Sequence, residues 1–415
     1  MRSRPLASPG CSAAVAGAAA LPGVRTAMAG VPAEPFGVVW APGGRWAFAV
    51  VAAGVEVLRA GRRLAPAAVR TIRLPGSPAG AAITPDGRYL LVADGSGAVV
   101  LSVARAEQDA SDPVLGTLRA APGLSSGGGA PTGRTAQAVA LLDSAIEVAV
   151  SPDGGYAFVT LEYADRAAVF NLGRALSRGF GAADYVGAIP LGQAPTGLAV
   201  APDGRWLYAT SEIATPAAAA GAGAAGSAAP GSSALSAGEA AACPQTSPGE
   251  LPGTVSVISL GRAETDPAGA VTATVDAGFQ PVRVITAGAG TQVWVTARAS
   301  DDLLCFSAAE LAADPARALL AVVRVGEAPV GLTAVRGGSL IVVADSDRFA
   351  VHGATAGLDV VSVAAALAGR SAVLGRVPTG SFPRELAAPP TADGALLVTD
   401  NASNQIQAVS VASLP

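Results

Sequence analysis

The stretch PTGLAVAPDGRWLYATSE, residues 195–212, contains two apolar runs separated by Pro-Asp-Gly. Proline presets φ at the second position of a turn, aspartate favours the turn, and glycine takes the left-handed position that closes a tight hairpin. The flanking runs are rich in β-branched and aromatic residues, which favour strands. The stretch therefore predicts a β-hairpin.

The chain repeats this hairpin pattern. Including the first stretch there are seven copies, at residues 34–51, 77–94, 144–162, 195–212, 280–297, 328–345 and 382–400. A third apolar strand follows each hairpin, as in TVSVISL at 254–260, and most copies add a fourth, as in VTATVDAG at 271–278. Four antiparallel strands repeated about every 45 residues are typical of β-propellers. The sequence predicts an all-β fold, a seven-bladed β-propeller of four-stranded antiparallel blades, in a single domain over residues 24–415.

The two ends of the chain complement each other. The last copy stops after its third strand, at VSVASLP (409–415), whereas LPGVRTAMAGVPAEPFG (21–37) resembles a fourth strand followed by the loop into a new copy. Residues near 24–30 are therefore expected to pair with the last blade, which closes the ring and covers an exposed sheet edge. Residues 1–23 are expected to form a flexible tail.

The N-terminal sequence also has features of an export signal. Two arginines precede an alanine-rich stretch, and AMAG at 27–30 resembles a cleavage site for a signal peptidase. If an export signal is present or was truncated, we expect a cell-envelope or secreted protein, and otherwise a cytoplasmic one. Because the chain has no strongly apolar run of about 18 residues, no transmembrane segment is expected.

Composition excludes several classes of function. The net charge is −4, and all 27 basic residues are arginine. The absence of lysine excludes Schiff-base chemistry and the phosphate-loop lysine. A mildly acidic chain without basic runs is not expected to bind nucleic acid. The three cysteines, Cys11, Cys243 and Cys305, fit neither a metal site nor a disulfide framework, so no metal and no cofactor is predicted from them.

Two low-complexity segments interrupt the repeats. Residues 213–252 separate the second and third strands of the fourth copy, and their composition predicts a disordered insertion. Their Gly221–Gly226 stretch matches a dinucleotide fingerprint by chance, because no strand–helix context surrounds it. A second insertion, at residues 112–135, contains a G-x-S-x-G motif around Ser125. That motif needs a histidine partner, and the only histidine is His352, so a serine hydrolase is not expected.

One position in each repeat should face the central channel, because the first strand of every propeller blade lines it. Five residues before the turn proline, four copies have glycine, at Gly37, Gly80, Gly197 and Gly331. At the equivalent position the other three copies have Glu147, Arg283 and Glu385, and Arg384 precedes the last. The sequence thus predicts two carboxylates and a guanidinium at one rim of the channel. They could form a structural salt-bridge cluster or a site for a ligand, and the glycines could leave room for that ligand or permit a tight loop.

Acidic residues end five of the second strands on the same face: Asp94, Glu162, Glu212, Asp345 and Asp400. They could cap turns by accepting hydrogen bonds from backbone amides. Alternatively, together with Arg384, they could bind a ligand. A calcium ion could be held there only if several of these oxygens converge.

The repeat resembles the YVTN type of seven-bladed propeller in the lactonase-like superfamily. The resemblance rests on the PDGR turn, the apolar strand ending in aspartate, the VSVISL-type strand and the VGEAPVG stretch, and it extends over residues 24–415. Hydrolases of that superfamily use carboxylate, arginine and often histidine groups in the channel, so the resemblance implies that such groups could have the same role here. Glu147, Arg283 and Glu385 match those groups by position only, and no inner strand here carries a histidine.

Two functions follow as hypotheses. The first is a non-catalytic binding or scaffold propeller, a monomer that presents its polar rim to a protein or a small molecule. The second is a lactonase-like hydrolase or lactonising enzyme, in which Glu147 or Glu385 acts as general base and Arg283 stabilises negative charge.

Overall fold

The computed structural model describes residues 18–61, 64–108, 112–120, 144–214, 251–348, 355–392 and 394–415. Twenty-eight strands in these segments form seven separate four-stranded antiparallel sheets. The predicted seven-bladed all-β propeller is therefore confirmed. The G-x-S-x-G motif, the Gly221–Gly226 stretch, Cys11, Cys243 and His352 lie outside the described residues.

The blades are numbered in chain order, and the strands of each blade are given from the innermost to the outermost. Blade one contains β2 (Val38–Trp40), β3 (Trp46–Val51), β4 (Gly54–Arg59) and β5 (Ala67–Arg73). Blade two contains β6 (Ala81–Ile83), β7 (Tyr89–Asp94), β8 (Gly97–Ser102) and β9 (Val114–Arg119). The prediction that an insertion begins at residue 112 is therefore wrong, because residues 114–119 form the outer strand of this blade. Blade three contains β10 (Ala145–Val150), β11 (Tyr156–Leu161), β12 (Arg166–Asn171) and β13 (Tyr185–Pro190). Blade four contains β14 (Gln193–Val200), β15 (Trp206–Ile213), β16 (Thr254–Ser259) and β17 (Val271–Asp276).

The remaining blades follow the same plan. Blade five contains β18 (Pro281–Ala287), β19 (Gln292–Ala297), β20 (Asp302–Ser307) and β21 (Leu319–Arg324). Blade six contains β22 (Pro329–Val335), β23 (Leu340–Asp345), β24 (Gly357–Ser362) and β25 (Val373–Pro378). Blade seven contains β26 (Pro383–Ala387), β27 (Ala395–Asp400), β28 (Gln405–Ser410) and, as its outer strand, β1 (Thr26–Gly30).

Short helices connect the third and fourth strands of five blades, at Val103–Ala106, Leu172–Arg178, Leu260–Ala263, Ala308–Ala313 and Val363–Leu367. In four of them the last residue of the third strand accepts a hydrogen bond from a backbone N–H of the first helical turn, a typical N-cap. Single 3₁₀ turns occur at Glu162–Ala164, Ala182–Asp184, Pro267–Gly269, Gly288–Gly290, Pro315–Arg317, Arg336–Gly338, Asn401–Ser403 and Val411–Ser413. None of the helices in the described segments is long and apolar enough to cross a membrane.

The hydrophobic core lies between the blades. The middle strands are buried on both faces, as in β23, whose six residues LIVVAD are all buried. The outer strand β17 instead mixes half-buried and exposed positions. Seven buried clusters result, one for each pair of neighbouring blades, including one between blades seven and one. The sheets are thus stabilised mainly by packing against their neighbours around the ring.

The N-terminal segment closes the ring as predicted. Strand β1 pairs antiparallel with β28, with Thr26 opposite Val409 and Gly30 opposite Gln405. Just before it, the chain contacts the outer strand of blade six: the Arg376 N–H donates to the Ala19 carbonyl at 2.9 Å, and the Leu21 N–H donates to the Arg376 carbonyl at 2.8 Å. Residues 19–30 therefore contact two consecutive blades. A boundary at residue 23 between a tail and the propeller stays a prediction.

The fourth blade carries the long insertion at the predicted place. Strand β15 ends at Ile213, strand β16 begins at Thr254, and the Ala214 N–H donates to the Pro252 carbonyl at 3.0 Å. The two ends of the insertion are therefore adjacent on one face of the propeller. Residues 215–250 lie outside the described segments.

Candidate functional site

The loops that lead into the inner strands share an unusual backbone conformation. We call the repeat position occupied by Gly37, Gly80, Glu147, Gly197, Arg283, Gly331 and Glu385 the rim position. In six blades a non-glycine residue with φ between 34° and 53° lies three positions before it: Glu34, Ser144, Ala194, Gln280, Ala328 and Phe382. A side chain in this left-handed region costs about 1 to 3 kcal/mol, so the surrounding structure must hold it. At three of these positions an Asp or Asn of the preceding blade accepts the backbone N–H, as Asp301 does from Ala328 at 2.9 Å. These three loops are thus each held in place by a side chain of the preceding blade.

A threonine in the second strand connects four rim positions to the next blade. These residues, which the sequence analysis missed, are Thr160, Thr210, Thr296 and Thr399. Each Oγ1 accepts the backbone N–H of the rim residue of its own blade. Each also donates to a carbonyl of the following blade, as Thr399 does to Phe36 at 3.0 Å. A threonine 13 or 14 residues after the rim position is the sequence signal that could have identified them.

The rim glycines permit close approach of neighbouring blades. A Cβ added to Gly80 would lie 2.5 Å from the Ile146 carbonyl oxygen, and one added to Gly197 would lie 2.6 Å from that of Val282. Gly331 is equally close to the backbone of Arg384. The space in front of these glycines is therefore filled by the next inner strand. Of the two explanations for the glycines, the tight approach of backbone is the one that the geometry favours.

The structure brings the three charged rim residues together across the channel. The Arg283 Nε of blade five lies 2.7 Å from an Oε of Glu385 in blade seven and 3.4 Å from an Oε of Glu147 in blade three. The three side chains are between 5% and 16% exposed. This is the salt-bridge arrangement, one of the two alternatives that the sequence left open.

Burial and the charges of Arg283 and Glu385 together determine the pKa of Glu147. Burial has the largest effect and the Glu385 carboxylate adds to it, so that the pKa of Glu147 is raised to about 8 against the opposing effect of Arg283. Burial acts to lower the pKa of Arg283, but the two carboxylates outweigh it, so that the net pKa is raised. At neutral pH Glu147 is therefore mostly protonated. Arg283 stays charged and is held chiefly by Glu385.

Arg384 is placed differently from its neighbour Glu385. Its guanidinium carbon lies 3.6 Å from the centre of the Phe36 ring and 5.5 Å from that of Phe382, so that the cation lies against two aromatic residues. Its Nε is buried without a hydrogen-bond partner, and within the described residues no ion pair includes this side chain. Burial, followed by repulsion from Arg283, lowers the pKa of Arg384 to about 9.

Two of the five acidic residues that end second strands also lie at this channel mouth. Glu212 accepts from an Arg298 Nη at 2.9 Å, and the same nitrogen is 2.9 Å from Gln280 Oε1. Glu162 lies 3.5 Å from the Ser144 hydroxyl, and burial together with the Glu212 charge raises its pKa. We use "channel mouth" for the surface formed by these residues, the charged rim residues, Arg384 and the two phenylalanines.

The other three acids stabilise local structure. Asp94 accepts the Ser77 N–H at 2.7 Å and Asp400 accepts the Gly380 N–H at 3.2 Å, which is the turn-capping role. Asp345 is 1% exposed and pairs with Arg376 at 2.6 Å. In the part of the chain that the structure describes, no three His, Cys, Asp or Glu side chains form a group that could hold a metal ion.

A cavity of about 590 Å³ opens next to the channel mouth, between blades six and seven. Hydroxyl groups line much of it, including those of Ser346, Thr379 and Ser381. Arg348 and Phe382 lie at its wall, and the Arg348 guanidinium carbon is 6.0 Å from the centre of the Phe382 ring. Phe382 therefore borders both this cavity and Arg384.

Comparison with known proteins shows the fold alone. No protein-family model and no curated protein matches the chain. Among solved structures, hydrazine synthase from Kuenenia stuttgartiensis is similar with a TM-score of 0.61 and 15% sequence identity, over 94% of this chain and 98% of that one. At this level of identity the likeness supports a shared propeller architecture, and the activity in that protein's name does not transfer to this chain.

Proposed function

We propose that this protein is a non-catalytic β-propeller that binds a ligand or a partner at its channel mouth, and that its repeats are of the YVTN type. The observation that supports this most is the different state of the two neighbouring arginines. Arg283 is used internally, in an ion pair with Glu385 and next to the Glu147 carboxyl group, whereas Arg384 lies on Phe36 without an ion-pair partner in the described segments. The first arrangement stabilises the ring, and the second leaves a charged group for recognition.

The state of the carboxylates supports binding over catalysis. A general base needs an ionised carboxylate that can reach the proton it removes. Glu147 is mostly protonated at neutral pH because its pKa is about 8. Glu385 already accepts a hydrogen bond from the Arg283 Nε at 2.7 Å, so this carboxyl oxygen is occupied. Neither side chain is thus in the state that hydrolysis of a lactone through a general base requires.

One observation favours the alternative, a lactonase-like hydrolase or lactonising enzyme. The pKa of Glu147 lies close to neutral pH, where an acid–base catalyst works best, and the buried Arg283 Nη2 beside it has no hydrogen-bond partner. In that reaction the carboxylate would take a proton from the attacking water, and Arg283 would stabilise the negative charge on the carbonyl oxygen.

A turnover assay separates the two functions. The purified full chain is incubated with a panel of aliphatic and sugar lactones, next to Glu147→Gln and Arg283→Ala variants whose folding is checked by circular dichroism. The proposal expects no hydrolysis above the spontaneous rate by any of the three proteins. Hydrolysis by the wild-type chain that is lost in the folded variants would establish the enzyme instead.

A further inference from the structure

We propose that Arg384 anchors an anion-binding site at the channel mouth, and that the ligand is a small molecule carrying a carboxylate or a comparable oxyanion. This inference rests on the proposed binding function and names the class of ligand. Three features of the described residues support it: the contacts of Arg384, the charges around it, and the space beside it.

The contacts of Arg384 leave its hydrogen-bonding capacity unused. The guanidinium carbon lies 3.6 Å from the centre of the Phe36 ring, a cation–π contact that holds the group in place without using its N–H donors. The buried Nε has no partner, and no carboxylate of the described residues lies within ion-pair distance. A buried, unsatisfied charged group costs free energy, whereas a planar guanidinium fork matches a carboxylate or phosphate in a two-pronged hydrogen bond.

The charges around Arg384 also favour an anion. The guanidinium groups of Arg283, Arg298 and Arg348 each repel it, and the neighbouring Glu385 compensates only in part because it bonds to Arg283. A bound anion would remove this repulsion. Arg298 is already paired with Glu212. Arg348 is exposed, so its guanidinium group could contact the bound anion together with Arg384.

The space beside Arg384 suits a small molecule. The cavity of about 590 Å³ falls within the range of small-ligand sites, roughly 300 to 1,000 Å³. Phe382 belongs both to the cavity wall and to the surroundings of Arg384. A ligand whose anionic group reaches Arg384 could therefore place its body against Phe382 and the hydroxyl-lined wall.

The test measures binding of three anions to the purified full chain by isothermal titration calorimetry at constant ionic strength in chloride. The probes are benzoate, citrate and inorganic phosphate, with benzylamine as a cation of similar size to benzoate. We expect at least one anion to bind and benzylamine not to bind. Tighter binding of benzoate or citrate assigns a carboxylate ligand, and tighter binding of phosphate assigns a phosphate ligand.

Three variants locate the site. Arg384→Gln should weaken binding of the anion by about 10- to 100-fold, the effect of losing a charge-assisted hydrogen-bonded pair. Arg384→Lys keeps the charge but loses the fork, and should give an intermediate affinity. The matched control is Arg88→Gln, since Arg88 also lies over an aromatic ring, that of Tyr89 at 5.1 Å, but is an exposed residue of a hairpin turn. It should bind the anion as the wild-type chain does.

Two results would overturn this inference. One is no detectable binding of any of the three anions at roughly 50 mM, a concentration at which a weak fragment-sized ligand still binds. The other is unchanged affinity in Arg384→Gln with folding intact by circular dichroism. Either would leave the binding function itself standing, to be pursued with other ligands. Lactone turnover would instead reject the non-catalytic function while an anion bound through Arg384 remained.

Discussion

At the scale of single residues, the same repeat position has two different roles at the rim, depending on whether it is occupied by glycine or by a charged residue. Glycine lets neighbouring inner strands approach, and the charged residues at the same position meet across the channel. Glu147 and Glu385 contact the same guanidinium, but only Glu385 lies at hydrogen-bond distance, 2.7 Å. The poorer geometry of Glu147 explains why burial dominates its protonation.

This difference predicts a specific dependence of stability on pH. The pKa of Glu147 is raised from 4.5 to about 8 in the folded chain, so that between these values the folded state holds a proton that the unfolded state has lost. Stability from this group is fully present below pH 4.5 and is lost as the pH rises through 8. Glu147→Gln keeps the uncharged form at every pH. We expect the variant to gain on the order of 2 to 4 kcal/mol relative to wild type between pH 5 and pH 8.5.

The measurement is chemical unfolding of both proteins at a series of pH values. The difference between them is the informative quantity, because burial also raises the pKa of Asp400 to about 7 and makes the wild-type profile composite. A constant difference across the whole range would mean that Glu147 is ionised at neutral pH, contrary to this account.

At the scale of elements, each inner strand is fixed by the blades on both sides. Threonine hydroxyls connect the second strand of one blade to the inner strand of the next. The Thr210 hydroxyl, for example, donates to the Val282 carbonyl oxygen at 2.9 Å. Rim glycines make close backbone contacts with the following blade as well, as Gly197 does with Val282. The position of each charged rim residue therefore depends on its neighbours as well as on its own hairpin.

Substitution of a rim glycine tests this close packing. In Gly80→Ala the new methyl group would lie 2.5 Å from the Ile146 carbonyl oxygen and 2.7 Å from a Glu147 Oε. We expect a loss of about 1 to 3 kcal/mol in the free energy of unfolding, typical of overpacking. The control is Gly261→Ala, in the helix Leu260–Ala263, where the added methyl group meets nothing within 4 Å. It should be neutral or stabilising by up to about 1 kcal/mol. Equal effects of the two substitutions would show that the inner strands can separate to admit a side chain.

Some of these elements could be predicted from sequence and others could not. The Pro-Asp-Gly hairpins and their repetition determine the propeller, because turn chemistry and strand periodicity are local. The approach of Glu147, Arg283 and Glu385 follows from their equivalent positions around a ring. The stacking of Arg384 on Phe36 joins blades seven and one, and no local pattern encodes it. Likewise, pairing of Asp345 with Arg376, rather than capping, depends on a fourth strand whose arginine has no counterpart in the other repeats.

At the scale of the whole molecule, ring closure determines the geometry of the site. Strand β1 completes the sheet of blade seven, and a buried cluster of residues from blades seven and one fills the junction between them. The Thr399 hydroxyl bonds to the Phe36 carbonyl across this junction, and Arg384 stacks on the ring of the same phenylalanine. The proposed anion-binding site therefore depends on closure of the ring.

The most direct test of the account is therefore a disulfide between β1 and β28. Ala27→Cys and Ala408→Cys, opposite each other in the strand register, are combined in a chain whose three natural cysteines are replaced by alanine. A control protein carries Ala27→Cys with Ala273→Cys, on the outer strand of blade four. Mass spectrometry of the oxidised proteins should find the 27–408 disulfide and no 27–273 disulfide, with a higher unfolding temperature for the first protein that is lost on reduction. Absence of the 27–408 disulfide, or equal yields in the two proteins, would contradict closure of the ring by the N-terminal strand.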